Sequence, residues 1–434
     1  MLLVPLLAAV TLSLSDSTNL GLRSVPERHA TALDLNTYPA VSLDATSRRS
    51  GFNIGYRPRL GWVDLTDSRD FIVQHSAGAG YTWSTPRLRL TLSVGASYGQ
   101  TTYYAAIAGA ANGTQDTNGM PSANGMPSAN GMPSAGGTPT DTGNTNTGAG
   151  ATPTPTDGQA TNGTQTPTAQ YLPAVSIVDS GSASGGIGIG YDVSRRVSTS
   201  FGVGFSVGGG LGSSEQYLPL RYGPSAGVSV SYKLGKSDGL TSSLGGGIDI
   251  LPKRHSRFYT VNLLETWNHT FGPQTTGTVG VGVTYLQSRV GPLEPRTRSA
   301  NAAGVVGLAQ GFKLDGGAQL GIGAGATLST NYNPVLGTVY QSLSGGAGVG
   351  WSRKRVSLSA GAQASHSLPF DDPDAISSYG GSCGTAYQLS NPLSLYAGAY
   401  WTHQVLPANA LLTIDPNRWG ANIGITVAIA AIKL

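Results

Sequence analysis

Charge is scarce in this chain: 11% of its 434 residues are Asp, Glu, Lys or Arg, against about 25% in an ordinary globular domain. That composition argues against a typical cytosolic enzyme and against a charged disordered tail. A single Cys excludes an internal disulfide, a Cys-based zinc site and an iron–sulfur cluster. The net charge is only +4 and no Lys/Arg run occurs, so a nucleic-acid surface has no support. No stretch of 18 consecutive apolar residues exists, which removes a transmembrane helix. What the chain has instead is glycine, 63 residues of it, set among Val, Ile, Leu and Tyr without the Gly-X-Y period of collagen.

Two segments stand apart. Residues 1–15 hold an apolar run from Leu2 to Val10, then small residues and Asp16. They read as a secretory signal peptide whose basic start is missing, with Ser13-Leu14-Ser15 as a cleavage box. No Cys follows, so a lipoprotein anchor is not expected. Residues 106–170 are rich in Asn, Gly, Thr, Pro and Ser, and repeat Asn-Gly-Met-Pro-Ser-Ala three times. Such a composition cannot bury a core, and a disordered loop is expected. It interrupts one domain, because the pattern on both sides is the same; the sequons at Asn112 and Asn162 read as products of that composition.

Elsewhere the dominant signal is period two. Phe201, Val203, Phe205 and Val207 alternate with Gly202, Gly204, Ser206 and Gly208; Val279, Val281 and Val283 alternate with Gly280, Gly282 and Thr284; Leu320, Ile322 and Ala324 alternate with Gly321, Gly323 and Gly325. Alternation of this kind places one strand face in an apolar medium and the other in a polar one. Seventeen such runs are clear, with short polar turns (84–87, 194–196, 235–239, 271–274, 314–317, 352–355, 389–392) alternating with longer loops (106–170, 211–225, 290–301, 369–377, 407–417). This is the rhythm of an all-β, transmembrane antiparallel barrel with brief turns at one rim and long loops at the other. Setting aside the leader and the insert leaves about 20 residues per strand and connection, room for the roughly 9–11 that a tilted strand needs to cross a bilayer. Because bacterial single-chain barrels have even counts, 18 strands are expected, with 16 as the fallback and a first strand lying before Tyr38. The location that follows is the cell outer membrane.

On this reading the Val, Leu and Phe face meets lipid, and Trp83, Tyr98, Trp351, Tyr400 and Trp419 form interfacial girdles. The Gly/Ser/Thr face would line the bore, with Arg57, Arg59, Arg87, Arg89, Asp192, Lys233, Asp249 and Lys313 as its few charges and Gly204, Gly282 and Gly323 among its small residues. A wide bore follows from the small side chains and the strand number; glycine relieving crowding in a strongly coiled sheet explains the same face without a functional message. No folded constriction loop with opposed basic and acidic clusters is visible.

Catalytic signatures are missing: no G-x-S-x-G, H-E-x-x-H or Walker pattern occurs, and His75, His255, His269, His366 and His403 stand singly. Asp371, Asp372 and Asp374 read as a solvated acidic loop more readily than a cation site. Glu265 shares parity with Val261, Leu263 and Trp267, for which a register shift is the expected cause, and Cys383 reads as an inert wall residue beside Tyr379 and Tyr387. Neither a catalytic centre, a cofactor nor a metal is expected.

The last strand, with Trp419, Ala421, Ile423, Ile425, Val427 and Ile429 on one face, resembles the C-terminal strand of bacterial outer-membrane barrels, which implies recognition by the barrel assembly machinery. It departs from them in ending on Leu434, and Ile432 switches parity, which predicts a bulge. The segments Tyr38-Pro39-Ala-Val-Ser-Leu-Asp-Ala-Thr-Ser-Arg48-Arg49, Gly55-Tyr56-Arg57-Pro58-Arg59-Leu60 and Ala96-Ser97-Tyr98-Gly99 resemble myxobacterial outer-membrane barrels associated with polysaccharide secretion. That resemblance implies a passive conduit for an extracellular polysaccharide, working with a periplasmic polysaccharide export protein, and carries over no catalytic residue. The residues themselves fit a general diffusion porin equally well, and a structural or adhesin barrel displaying the insert is a third reading.

Overall fold

A computed structural model describes residues 9–25, 30–65, 68–102, 177–216, 218–289, 291, 296–333, 338–368, 377–405 and 417–433. They form one closed antiparallel sheet of 19 strand segments: β1 (Ala9–Val25), β2 (Ala30–Thr37), β3 (Ala40–Thr46), β4 (Ser50–Leu65), β5 (Ser68–Ser84), β6 (Leu88–Thr102), β7 (Ile177–Asp192), β8 (Val197–Gly210), β9 (Arg221–Lys233), β10 (Asp238–Leu251), β11 (Ser256–Gly272), β12 (Thr275–Arg289), β13 (Thr297–Leu314), β14 (Ala318–Asn333), β15 (Thr338–Arg353), β16 (Val356–Leu368), β17 (Ser377–Gln388), β18 (Leu393–Val405) and β19 (Asn417–Lys433).

Segments β2 and β3 are one wall strand. Their pairing with β1 keeps a single register from Val25↔Ala30 through Thr18↔Thr37 to Ala9↔Thr46. The interruption falls at Tyr38-Pro39: the Tyr38 N–H still reaches the Ser17 carbonyl at 2.9 Å, but Pro39 has no N–H to give. In the same register Pro39 lies opposite Pro58 of β4, so the ladder loses donors from both strands at one level. The barrel therefore has 18 strands, the number expected. It closes through β1 and β19, paired from Arg23↔Gly420 to Thr11↔Lys433, and closure removes the unpaired edges that an open sheet would expose to lipid. The expected C-terminal bulge is present: the register shifts by one between Leu12↔Ile432 and Leu14↔Ile429.

The expected leader ends at Ser15, within the first strand of the sheet. Residues 9–15 belong to β1 and pair with β3 on one side and β19 on the other; they are wall. A lipid-facing strand and the apolar core of a leader draw on the same Leu, Val and Ala. The missing first strand lies here. The insert falls outside the described residues, as do its sequons and Asp371, Asp372 and Asp374; β6 and β7, which flank the insert, pair directly, Thr102 opposite Ile177. The short/long rhythm holds at one rim, called here the turn end. At the opposite loop end the connections are mixed, and those at 26–29, 66–67, 252–255 and 334–337 are short. No helix among the described residues is long and apolar enough to cross a membrane; the chain crosses with strands.

Candidate functional site

The two strand faces differ chemically, as expected. One carries Phe71, Tyr98 and Val281, each about 60% exposed or more, with Phe201, Phe205, Val306, Leu308 and Ile423. The other is built of Gly, Ser and Thr whose hydroxyls pair across neighbouring strands: Ser97 with Ser182 at 2.8 Å, Ser200 with Ser229 at 2.6 Å, Ser231 with Thr241 at 3.1 Å and Ser365 with Ser378 at 2.7 Å. Cross-strand hydroxyl pairs satisfy each other and add a few tenths of a kcal/mol to about 1 kcal/mol each. In a closed barrel the large apolar face turns outward and this polar face turns to the bore.

The polar face is not uniform along the axis. Near the turn end its side chains are open to solvent, among them Asn53, Thr82, Ser93, Asp192, Lys233 and Lys313. Toward the loop end they are shielded: Asn19, Asn36, Gln74, Ser180, Ser256, Ser288, Ser342 and Ser365 are all buried. Large apolar residues join them on the same inward parity, namely Ile72 and, over β10–β12, Leu251, Phe258 and Leu286, each 2% exposed or less. An empty 18-strand barrel is roughly 35 Å across between backbones, so side chains on its inner wall would be wet along their whole length. The burial of this half shows that the bore is narrowed there. Part of the shielding comes from residues 211–216 and 218, which fold back on β7 and β8, the Leu211 N–H donating to the Asp179 carbonyl (2.9 Å), the Gly210 N–H to the Leu218 carbonyl (2.7 Å) and the Asp179 N–H to Ser214 Oγ (3.0 Å).

Of the expected bore residues, Arg57, Arg59, Arg89, Asp192, Gly204, Lys233, Asp249, Gly282, Lys313 and Gly323 all fall on the polar parity of their strands. Arg87 lies outside the strands, exposed in the turn before β6, its carbonyl accepting from the Asp192 N–H at 2.8 Å. The others are not brought together into one cluster. Arg59 is the deepest charge, 8% exposed; its Nε–H donates to Asn36 Oδ1 at 3.0 Å and its guanidinium sits 5.8 Å from the centre of the Tyr38 ring. Arg57, two residues nearer the turn end, is exposed.

Aromatics also occur on this face. Tyr396 and Tyr400 point inward and their rings lie over Gly424 and Gly420, where any Cβ would collide with them; the Tyr396 hydroxyl is hydrogen-bonded to Ser17 Oγ at 3.3 Å. Tyr400 is therefore not a girdle residue. Trp83, Tyr98, Trp351 and Trp419 keep the outward parity. Sequence reasoning passed over Phe258, Leu286 and Ile72, whose only signal was a large apolar residue on the wrong parity.

Gly282 also differs from its expected part as spare volume. A Cβ there would run into the Leu263 carbonyl of the adjacent strand, whereas one on Gly350 would meet nothing within 4 Å. Gly282→Ala is expected to lower the yield of refolded, heat-modifiable barrel several-fold, and Gly350→Ala to leave it unchanged, as read on unboiled gels.

Glu265 faces outward in the middle of β11, accepting a 2.7 Å hydrogen bond from Ser242 Oγ–H. The register runs unbroken from Arg257↔Arg289 to Thr270↔Thr276 and shifts only at Gly272, so no slip explains it. Cys383 is exposed on the outward face, as expected. The histidines are not gathered: His269 is bonded to Asp238 at 2.7 Å beside Trp267 and Phe271, and His403 to Asn417 at 3.0 Å beside Trp401. No group of three metal-ligating side chains occurs among the described residues.

This fold, with its apolar belt and polar bore, is that of an outer-membrane β-barrel. No protein-family model matches the sequence, and no curated relative matches it. Among solved structures, the FrpB iron transporter from Neisseria meningitidis aligns over 95% of this chain and 69% of its own, at 9% identity and a TM-score of 0.50. Pseudomonas aeruginosa OpdL aligns over 98% and 99% at 11% identity and 0.45, and OprD of the same organism over 98% and 95% at 10% identity and 0.44. These likenesses concern the fold alone.

Proposed function

We propose that the chain is a passive diffusion channel for small hydrophilic solutes, with Arg57, Arg59, Arg89, Asp192, Lys233, Asp249 and Lys313 as its lining charges. The observation that carries this reading is the gradient along the polar face, open at the turn end and shielded over the loop-end half. A polysaccharide conduit needs a bore of polymer width along its whole length, and the narrowing favours the porin reading over secretion. The lining of hydroxyls, glycine and a few charges of both signs gives small polar solutes water-like contacts without a tight site.

The test is permeation into proteoliposomes by sugars of increasing size, with single-channel recording in planar bilayers. Expected are steady conductance and permeation that falls off between mono- and oligosaccharides. Passage of long neutral dextrans as readily as of glucose would overturn the reading in favour of a conduit. Phe258→Ala, which removes a side chain worth about 3–5 kcal/mol of packing in an ordinary core, should loosen the shield and give larger, noisier conductance steps; an unchanged trace would mean that Phe258 takes no part in the constriction.

A further inference from the structure

We propose that the outward face at the loop end of β11–β13 binds the phosphorylated headgroup of an outer-leaflet glycolipid. Arg257 and Arg289 are register partners on β11 and β12, and Arg298 of β13 is partnered with Gln287, two residues from Arg289 on the same face. Arg296 precedes Arg298 at the same parity, and all four arginines are exposed. Arg257 and Arg289 stand directly opposite each other and Arg298 is diagonal to Arg289 across Gln287, so positive charge is concentrated on one outward patch of three neighbouring strands, and like charges directly opposite are unfavourable in an antiparallel pair.

The level of the cluster identifies the anion. Below it the outward face is apolar through Val261 and Leu263 on β11 and Val279, Val281 and Val283 on β12. Tyr259 and Tyr285 close that belt, and the next outward positions are Arg257, Gln287 and Arg289. Aromatic rings of this kind mark the boundary between hydrocarbon and headgroups, so the guanidinium groups stand where headgroup phosphates lie, with their stems free to run along the wall. Arginine suits the task because its fork meets two phosphate oxygens at once. The apolar belt beneath would hold the acyl chains of the same molecule, which favours a lipid over a free anion.

The experiment uses the full chain in detergent and follows binding of bisphosphorylated lipid A by native mass spectrometry and by the shift in the barrel's melting temperature. The comparisons are lipid A stripped of both phosphates, and inorganic phosphate. Lipid A should raise the melting temperature and stay bound, while the dephosphorylated lipid and phosphate alone should do neither. In Arg257→Gln/Arg289→Gln/Arg298→Gln the apparent affinity should fall ~30-fold, as expected for losing several charge-assisted bonds, whereas Arg48→Gln/Arg49→Gln at the turn end should bind as the unaltered chain does. Equal binding by the triple variant, or by the lipid without phosphates, would overturn the assignment. So would saturation by inorganic phosphate that leaves lipid A with no further effect. Should the triple variant fail to fold, the comparison of the two lipids on the unaltered chain still decides.

Discussion

A chain refolded without residues 9–15 is expected not to close. These residues pair with β3 along one edge, from Ala9↔Thr46 to Ser15↔Ala40, and with β19 along the other, through Leu14↔Ile429. Their removal would strip one edge of β3, which keeps only its pairing with β4, and would take the β1 partners from the turn-end part of β19, from Ala428 onward; each unsatisfied backbone group facing hydrocarbon costs several kcal/mol. With a net stability of about 5–15 kcal/mol for a typical folded protein, a few such groups are enough to abolish the closed state. Refolding from denaturant into micelles separates this from any question of export. The full chain should give a compact band on unboiled gels that shifts on heating, and the shortened chain should give only the unfolded band. Recovery of heat-modifiable barrel from the shortened chain would mean that the seam forms elsewhere and that residues 9–15 are dispensable.

The same segment shows how far the sequence could be read. Most strands announce themselves, because alternation of Val, Phe or Leu with Gly or Ser is a local property that sets both the element and its two faces. Strand β1 hides because Ser13, Ser15, Ser17 and Asn19 alternate with Leu12, Leu14, Asp16 and Thr18, so contrast fades halfway along; Asp16 is held on the outward side by hydrogen bonds from Thr37 (2.8 Å) and Thr18 (3.2 Å). The break at Pro39 and the close approach at Gly282 depend on the strand opposite, which no local pattern reports. The bore is legible in its lining and illegible in its width. Parity puts Arg59 and Gln74 inside, but which inward side chains are shielded depends on contacts between parts of the chain far apart in sequence. Phe258 and Leu286 were visible only as exceptions to the alternation. Glu265 marks the opposite limit, since the parity was right and distrust of an outward carboxylate was the error.

Phe205→Arg is expected to cost the barrel most among single substitutions of the wall. Phe205 stands on the outward face near the middle of β8, about half exposed, opposite Gly185 on β7 and Pro224 on β9. A base on the lipid face at the bilayer midplane costs about 2–4 kcal/mol, and nearly nothing close to the interfaces. The neighbours Val203, Val207 and Gly185 supply no carboxylate to offset it, and Glu265 lies three strands away. Gly204→Ser, one residue along, changes the inward face instead, where Ser206 and Ser225 already place hydroxyls, and should refold like the unaltered chain. Urea titrations of both variants in lipid vesicles, followed by tryptophan emission, would measure the difference. Equal midpoints would mean that the outward and inward faces had been exchanged, and the polar bore with them.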